Sequence, residues 1–388
     1  MVAIKCKIFV GEYMCNIIIE NGAIQSLNKY LIDNYTNQCV GLLISYTGLK
    51  KYKTYLNILK ESNLTLDIYY FNENNCTYAE IERVCEAMAN CKHILAVGNV
   101  VVDVCKGVAN RLDIDYSIWA TDISGGYLSN YYKIVDGGVL RLVNCSLPRC
   151  IYVDSKEISK ETRRDVASAL AELLSYNYLL CKMACEGLLE GEIAAFDNII
   201  KQVNMFTSEN ILTDKGKQLI FKIILEIELY LNKLNVKNVL YQLVFLFKKL
   251  DCDNFLNGQE AGLIFALFAL SLHNRVLNNN LVMPHKEIKE RVDRLKNLFN
   301  NCANESLIKE DNCENLIENK SVYFKYVTIA INRVVNNMAM LKRVYIDKGI
   351  VYNNIEMSKY LDVLRSVCCI ENEKSLVILS EYGLLDNI

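Results

Sequence analysis

Strand-like and helix-like stretches alternate through the first 155 residues of this 388-residue chain, and this alternation restricts its fold more than any other feature. Short apolar runs typical of buried strands lie at 40–45, 65–71 and 93–97, and helical spacing fills 52–62 and 78–91 between them. Strands joined by helical crossovers form parallel sheets. Residues 1–155 are therefore predicted to form an α/β domain with a mostly parallel sheet.

The remaining 233 residues show helical periodicity and few strand signals. The predicted helices span 159–187, 190–203, 216–234, 239–250, 258–273, 288–300, 323–346 and 355–368. This pattern predicts an all-helical domain over residues 156–388. In the first domain, Tyr46-Thr47-Gly48 is predicted to form a turn between a strand and the next helix.

The composition excludes several functional classes. The net charge is −2 and the isoelectric point about 6.1, which gives no overall attraction to nucleic acid or to an acidic membrane. The longest apolar stretch, near 261–272, is shorter than the roughly 20 residues of a membrane-spanning helix. Sixteen scattered cysteines without a leader peptide or a CxxC pair indicate buried thiols in a reducing cytoplasm. With three histidines in the chain, a zinc finger is not expected.

One strand runs into a turn that is suited to phosphate. The apolar residues 94–97 are followed by Gly98, Asn99 and a helix that carries Asp103 in its first turn. A helix N-terminus presents unpaired N–H groups and a positive dipole end, which favour anions. The alternative is an ordinary strand-to-helix turn, because Gly98 is the one glycine in it.

The segment Val97-Gly98-Asn99-Val100-Val101-Val102-Asp103 resembles the Gly-Gly-Gly-x-x-x-Asp turn of dehydroquinate synthases, glycerol dehydrogenases and iron-containing alcohol dehydrogenases. The resemblance is closest to the dehydroquinate synthase branch. Further stretches that carry it are Ile118-Trp119-Ala120-Thr121, Pro148-Arg149-Cys150-Ile151-Tyr152-Val153-Asp154 and Ser168-Ala169-Leu170-Ala171-Glu172-Leu173-Leu174-Ser175-Tyr176. It implies a dinucleotide-binding α/β domain followed by an all-α domain, and a homodimer.

The resemblance also implies roles for single residues. NAD would contact Gly98, Asn99, Asp103, Thr121 and Ser129. Lys133 would bind substrate as a catalytic residue, and Glu172 would be both a catalytic residue and a metal ligand. Two glycines of the turn are replaced, and a side chain on Val97 or Asn99 would crowd a pyrophosphate. Weakened NAD binding is therefore expected.

The metal ligands are the least complete part of the resemblance. Family members add two histidines to the acidic ligand, and the matching positions here hold Tyr241 or Phe245 and Asn257. Zinc requires about three protein ligands, so Glu172 alone predicts no zinc or iron at this position. His273 lies sixteen residues beyond Asn257, roughly 24 Å along an ideal helix, and His285 follows a proline. Neither is expected to replace the missing histidines.

Two functions follow from these observations. The first is a divergent dehydroquinate synthase-like protein that has lost the metal-dependent chemistry and serves as a binding or assembly protein. The alternative is an active NAD-dependent enzyme, either a dehydroquinate synthase or an alcohol or polyol dehydrogenase, with an altered site. An unrelated α/β plus α protein is a third reading.

In both readings of the resemblance, a small molecule occupies a cleft between the domains, at the carboxyl ends of the strands. The residues expected to converge there are Gly98, Thr121, Ser129, Lys133, Glu172 and Asn257. No nucleic-acid or membrane partner is expected, and the location is predicted to be cytoplasmic.

Overall fold

The computed structural model describes residues 4–10, 13–60, 62, 64–72, 75–250, 258–278 and 319–345, with residues 363, 364, 375, 376 and 379. Contacts divide the chain into two compact units. The first contains residues 1–136, 141–162 and 211–237, and the second contains 137–140, 163–210 and 238–388. The units alternate along the chain, whereas the sequence predicts consecutive domains that meet at residue 155. That boundary remains a prediction.

A seven-stranded sheet forms the centre of the first unit. Its strands are β1 (Ile4–Val10), β2 (Tyr13–Glu20), β3 (Cys39–Ser45), β4 (Thr65–Phe71), β5 (Cys91–Val97), β6 (Asp115–Ala120) and β9 (Cys150–Asp154). The spatial order is β1-β2-β9-β6-β5-β3-β4. Six strands pair in parallel, and β1 pairs antiparallel with β2 at one edge. The predicted α/β class is confirmed.

Four helices lie between successive strands of the sheet, and a fifth follows β9. They are α1 (Ala23–Tyr35), α2 (Tyr46–Lys60), α3 (Tyr78–Ala87), α4 (Val102–Leu112) and α5 (Ser155–Ser159). In α1 the buried residues Ala23, Ile24, Leu27 and Leu31 recur at helical spacing, so one apolar stripe meets the sheet. A later helix of this unit, α9 (Asp214–Leu234), packs against α5 and β1.

Two local predictions differ from the structure. The turn expected at residues 46–48 is the first turn of α2, because the Ser45 hydroxyl accepts a hydrogen bond from the Gly48 N–H at 3.0 Å and caps the helix. A hairpin of β7 (Tyr131–Asp136) and β8 (Val139–Asn144) was not predicted. Gly137 and Gly138, both at positive φ, form its two-residue loop, which is a strong hairpin signal in sequence.

The described part of the second unit is helical apart from the start of β8. Its helices are α6 (Arg163–Ser175), α7 (Asn177–Cys185), α8 (Glu190–Ile200), α10 (Leu240–Leu250), α11 (Gly258–Asn278) and α12 (Lys320–Tyr345), with short 3₁₀ turns after α8. The long helix predicted over 159–187 is divided into α5, α6 and α7. Helices α6 and α7 pack against α11 and α12. The predicted helices at 288–300 and, for all but two residues, 355–368 lie outside the described residues.

No helix in the described ranges has the length and apolar character needed to cross a bilayer.

Candidate functional site

The predicted phosphate turn lies between the end of β5 and the start of α4. Gly98 has a φ of +87°, a conformation that side-chain-bearing residues rarely adopt. A Cβ at this position would lie 3.2 Å from the Thr121 hydroxyl oxygen, so the turn also requires the missing side chain. The Gly98 N–H donates to the Trp119 carbonyl at 3.0 Å, which ties the turn to β6. Gly98 and Thr121 therefore meet at the carboxyl ends of β5 and β6.

The side chains expected to crowd this turn point elsewhere. Val97 is a member of the hydrophobic core and only 2% exposed, so its isopropyl group packs inside the sheet. The Asn99 amide donates to the Ser124 hydroxyl at 2.5 Å, and the Tyr127 hydroxyl and the Ser124 N–H both donate to Asp122. These bonds tie the Asn99 side chain to the segment that follows β6.

Asp103 and Lys133 form a pair beside the turn. Asp103 lies in the first turn of α4, and its carboxylate accepts the Lys133 backbone N–H at 2.9 Å. The Lys133 ammonium lies 3.4 Å from the same carboxylate. Both side chains are about one-fifth exposed, so water and ligands reach them. Two of the sequence-predicted residues are thus brought together, with one carboxylate and one ammonium next to the helix N-terminus.

Ser129 lies in a buried loop that precedes β7. The ammonium of Lys106, a fully buried residue of α4, donates to the carbonyls of Gly126 at 2.6 Å and Ser129 at 2.8 Å and to the Ser129 hydroxyl at 2.7 Å. The Ser129 hydroxyl in turn lies 3.0 Å from the Tyr131 carbonyl. The described bonds of Ser129 are therefore internal, and they hold the loop against α4.

Helix α9 holds the same loop from the other side. The Glu228 carboxylate accepts the backbone N–H groups of Gly126 and of Leu128, the latter at 2.8 Å. The Asn232 side chain accepts the Asn130 N–H at 3.0 Å and donates to the Leu128 carbonyl at 2.6 Å. We call the set of Lys106, Glu228 and Asn232 the loop clamp. Burial lowers the pKa of Lys106 and raises the pKa of Glu228 from their ordinary values.

The loop clamp was not predicted from the sequence, although both of the helices that supply it carry a signal for it. Lys106 interrupts the apolar run of α4, and Glu228 and Asn232 are four residues apart on an otherwise apolar stripe of α9. A charged residue on a buried helix face needs a partner, and the chain supplies it from more than a hundred residues away. The pairing itself could not be read from either helix alone.

In the second unit, Glu172 is enclosed by tyrosine hydroxyls. Its carboxylate, on α6, is 6% exposed and accepts the hydroxyl of Tyr176 at 3.1 Å and that of Tyr241 at 3.4 Å. Tyr241 belongs to α10, where the resemblance places a histidine. The Ser175 hydroxyl donates to the Glu172 carbonyl at 2.7 Å. Asn257, the other matching position, lies outside the described residues.

These donors do not fit the metal that the resemblance implies. A neutral phenol donates a hydrogen bond to a carboxylate, whereas zinc and iron sites use imidazole nitrogen, thiolate or carboxylate as ligands. Within the described ranges, the groups of His, Cys, Asp and Glu close enough to share an ion are Cys181-Cys185-His273 and Cys39-Asp67-Cys91, and Glu172 is in neither. Within the first unit, Gly98, Asn99, Asp103, Thr121 and Lys133 lie at or beside one turn; within the second, Glu172 bonds to two tyrosine hydroxyls.

No protein-family model matches this sequence, and a search of curated proteins finds no match. Solved structures, by contrast, match over nearly the whole chain. A probable glycerol dehydrogenase from Sinorhizobium meliloti superposes with a TM-score of 0.61 at 14% identity, covering 95% of this chain and 96% of its own. An iron-containing alcohol dehydrogenase from Thermotoga maritima gives 0.56 at 13% identity, covering 94% and 97%.

A third similar structure is a 2-deoxy-scyllo-inosose synthase complexed with carbaglucose-6-phosphate, NAD⁺ and Co²⁺. It superposes with a TM-score of 0.53 at 15% identity and covers 84% of this chain and 86% of its own. The chain therefore has the fold shared by glycerol dehydrogenases, iron-containing alcohol dehydrogenases and dehydroquinate synthase-like proteins, as the sequence motifs predicted.

Proposed function

We propose that this chain, with the fold of the dehydroquinate synthase and iron-containing alcohol dehydrogenase superfamily, binds a dinucleotide of the NAD type without metal-dependent catalysis. In this proposal, the chain acts as a binding or assembly protein and forms a homodimer. The observation that carries the loss of catalysis is the enclosure of Glu172 by the Tyr176 and Tyr241 hydroxyls. Glu172 accepts hydrogen bonds from two phenols and, among the described residues, belongs to no group of His, Cys, Asp and Glu that could share an ion, so its surroundings are a poor ligand set for zinc or iron.

Ligand binding is supported by the turn in the first unit. Gly98 provides the close backbone approach that a pyrophosphate needs, and the N-terminus of α4 provides N–H donors and a positive dipole end. Thr121 adds a hydroxyl beside Gly98, and Lys133 adds an ammonium close to the helix. NAD bound here would supply a hydride acceptor. The residues around the turn hold and orient the ligand.

The binding half is tested by calorimetric titration of the full chain with NAD⁺. We expect measurable binding to the wild type and a loss of about tenfold or more in affinity for Gly98→Val, because a Cβ at positive φ strains the turn and meets Thr121. Gly191→Ala is the matched control, since a Cβ there contacts nothing within 4 Å. Wild-type protein that does not bind NAD⁺ would refute this half.

The catalytic half is tested by reduced-nicotinamide absorbance with NAD⁺ and glycerol, butanol or a phosphorylated sugar acid, with Zn²⁺, Fe²⁺ or Co²⁺ added. We expect no turnover above the protein-free rate. Metal-dependent turnover that disappears in Glu172→Gln would overturn the proposal. It would instead support an active NAD-dependent enzyme with an altered site, for which the retained Asp103–Lys133 pair is the specific argument.

A further inference from the structure

Three potential metal ligands meet inside the second unit, on helices other than the one that carries Glu172. Cys181 and Cys185 are one turn apart on α7, so their sulfurs lie on the same helix face. His273 is on α11, which packs against α7. The two sulfurs and one imidazole nitrogen all lie within 4.8 Å of one another, and all three residues are buried. We call this group the Cys-Cys-His cluster.

The imidazole of His273 has one satisfied and one unsatisfied nitrogen. Its Nδ1 lies 2.8 Å from the hydroxyl of Tyr323 on α12. Its Nε2 is buried and has no hydrogen-bond partner among the described residues. Buried polar atoms without a partner are rare in folded proteins, and each one points to a bound group or to strain.

We propose that Cys181, Cys185 and His273 form a zinc site, with both sulfurs as thiolates and Nε2 as the nitrogen ligand. Zn²⁺ prefers sulfur and imidazole ligands, and three protein ligands with a fourth position for water or another group form a known type of site. When the ion binds, each thiol S–H bond is replaced by a sulfur–zinc bond, and two protons leave to solvent. Two thiolates then balance the charge of one Zn²⁺, so a buried site carries no net charge.

Tyr323 acts on this site as a positioning residue. A histidine that binds metal through one nitrogen generally hydrogen-bonds through the other, which sets the tautomer and the ring orientation. With Nε2 as the ligand, Nδ1 carries the ring proton and donates a hydrogen bond to the Tyr323 hydroxyl oxygen. Loss of such a partner typically weakens metal affinity by about 10- to 100-fold.

A second group, Cys39, Asp67 and Cys91, provides the matched control. Its members lie on β3, β4 and β5, and Asp67 is exposed. The Cys39 thiol donates to the Asp67 carboxylate at 3.1 Å, and its sulfur lies 3.4 Å from that of Cys91. These groups already serve one another as hydrogen-bond partners. They lack the unsatisfied nitrogen that distinguishes the Cys-Cys-His cluster.

In the first experiment, the reduced, metal-free full chain is titrated with Co²⁺, which substitutes for Zn²⁺ and can be followed by its absorption spectrum. We expect thiolate-to-cobalt charge-transfer absorption that saturates at one ion per chain and is displaced by Zn²⁺. Cys181→Ser with Cys185→Ser should abolish it, and Tyr323→Phe should weaken cobalt affinity about 10- to 100-fold. Cys39→Ser with Cys91→Ser should leave it unchanged. A signal that survives the first pair and disappears with the second would overturn the assignment.

A second measurement needs no variant and therefore does not depend on whether a core substitution folds. X-ray absorption of the zinc-loaded wild type should show sulfur neighbours at about 2.3 Å and nitrogen at about 2.0–2.1 Å. A shell of oxygen and nitrogen without sulfur, or a wild-type chain that retains no zinc after desalting, would refute the site. Zinc found here leaves the proposed function intact, because Glu172 is not a ligand and the nicotinamide assays report on hydride transfer alone.

Discussion

At the scale of single residues, the phenols beside Glu172 determine which bonds that carboxylate makes. An imidazole offers a lone pair to a metal, whereas a neutral tyrosine hydroxyl donates a hydrogen bond to the carboxylate. The Tyr176 and Tyr241 hydroxyls both donate to Oε1 of Glu172, so this oxygen already accepts two hydrogen bonds.

Tyr176→Phe tests how much this enclosure stabilises the protein. Removal of the hydroxyl deprives a buried carboxylate of one donor, and we expect the free energy of unfolding to fall by about 1–3 kcal/mol. The measurement is urea unfolding followed by circular dichroism. The exposed Tyr46→Phe serves as control and should change stability by no more than about 0.5 kcal/mol. Equal effects of the two variants would contradict the role given to Tyr176.

The buried His93 should make the folded protein less stable in acid. Burial is the main reason that its pKa falls from 6.5 to about 3, and Arg149 adds to the effect. Between these values the unfolded chain binds a proton at this position and the native chain does not, so stability decreases as the pH falls from 6.5 towards 3. The contribution is about 1 kcal/mol per pH unit. His93→Asn should flatten the pH dependence of unfolding in this window, and an unchanged slope would contradict the assignment.

At the scale of elements, the loop clamp joins α4 and α9 through the loop between β6 and β7. Lys106 and Glu228 are both buried, and each saturates backbone groups of that loop. Each charge is stabilised by the loop dipoles and by attraction to the other. This arrangement sets the conformation of the loop that leads to Lys133.

A double-mutant cycle tests the clamp. Lys106→Met removes the donors to three loop carbonyls and leaves Glu228 without its buried cation, so we expect a loss of about 3–5 kcal/mol in unfolding free energy. Glu228→Gln alone should also destabilise. Because the two act on one loop, the double variant should lose less than the sum of the single losses. Strict additivity would show that the two charges are independent.

Substitution by alanine should change the free energy of unfolding in opposite directions at two helical glycines. Gly107 lies where α4 crosses α3, and a Cβ there would overlap the Ile81 side chain, so Gly107→Ala should destabilise by about 1–3 kcal/mol. Gly191, in the first turn of α8, has open space around it. Gly191→Ala should stabilise by about 0.5 kcal/mol by restricting the unfolded chain. Thermal melting should show a lower melting temperature than the wild type for Gly107→Ala and a higher one for Gly191→Ala.

At the scale of the whole molecule, acidic and basic residues nearly balance, with 43 Lys and Arg against 45 Asp and Glu. The isoelectric point of about 6.1 predicts minimal mutual repulsion between chains close to that pH. Solubility, measured by light scattering at fixed protein concentration and low salt, should therefore be lowest near pH 6 and recover on either side. A minimum far from this pH would indicate that a local patch governs association.

The order of strands and helices could be predicted from the sequence because hydrophobic periodicity is a local property. The residues of β3, β4, β5 and α4 are recognisable from their own apolar pattern. The motif resemblance left Tyr241 and Phe245 both open at the histidine position, and it is Tyr241 that bonds to Glu172. The two-glycine loop of the hairpin, Gly137 and Gly138, is an equally local sequence signal. The directions of the Val97 and Asn99 side chains are not set locally, because they depend on packing in the core and on a hydrogen bond to Ser124.

By itself, the sequence determined the α/β sheet, the helical second part, the strand-to-helix turn at Gly98 and the residue types available near Glu172. Only the tertiary structure decided which distant groups meet. Lys106 and Glu228 are held on one loop, and His273 reaches Cys181 and Cys185. The physical reason is that periodicity depends on neighbours within a few residues, whereas partners for buried polar groups are chosen by packing between helices far apart in the chain.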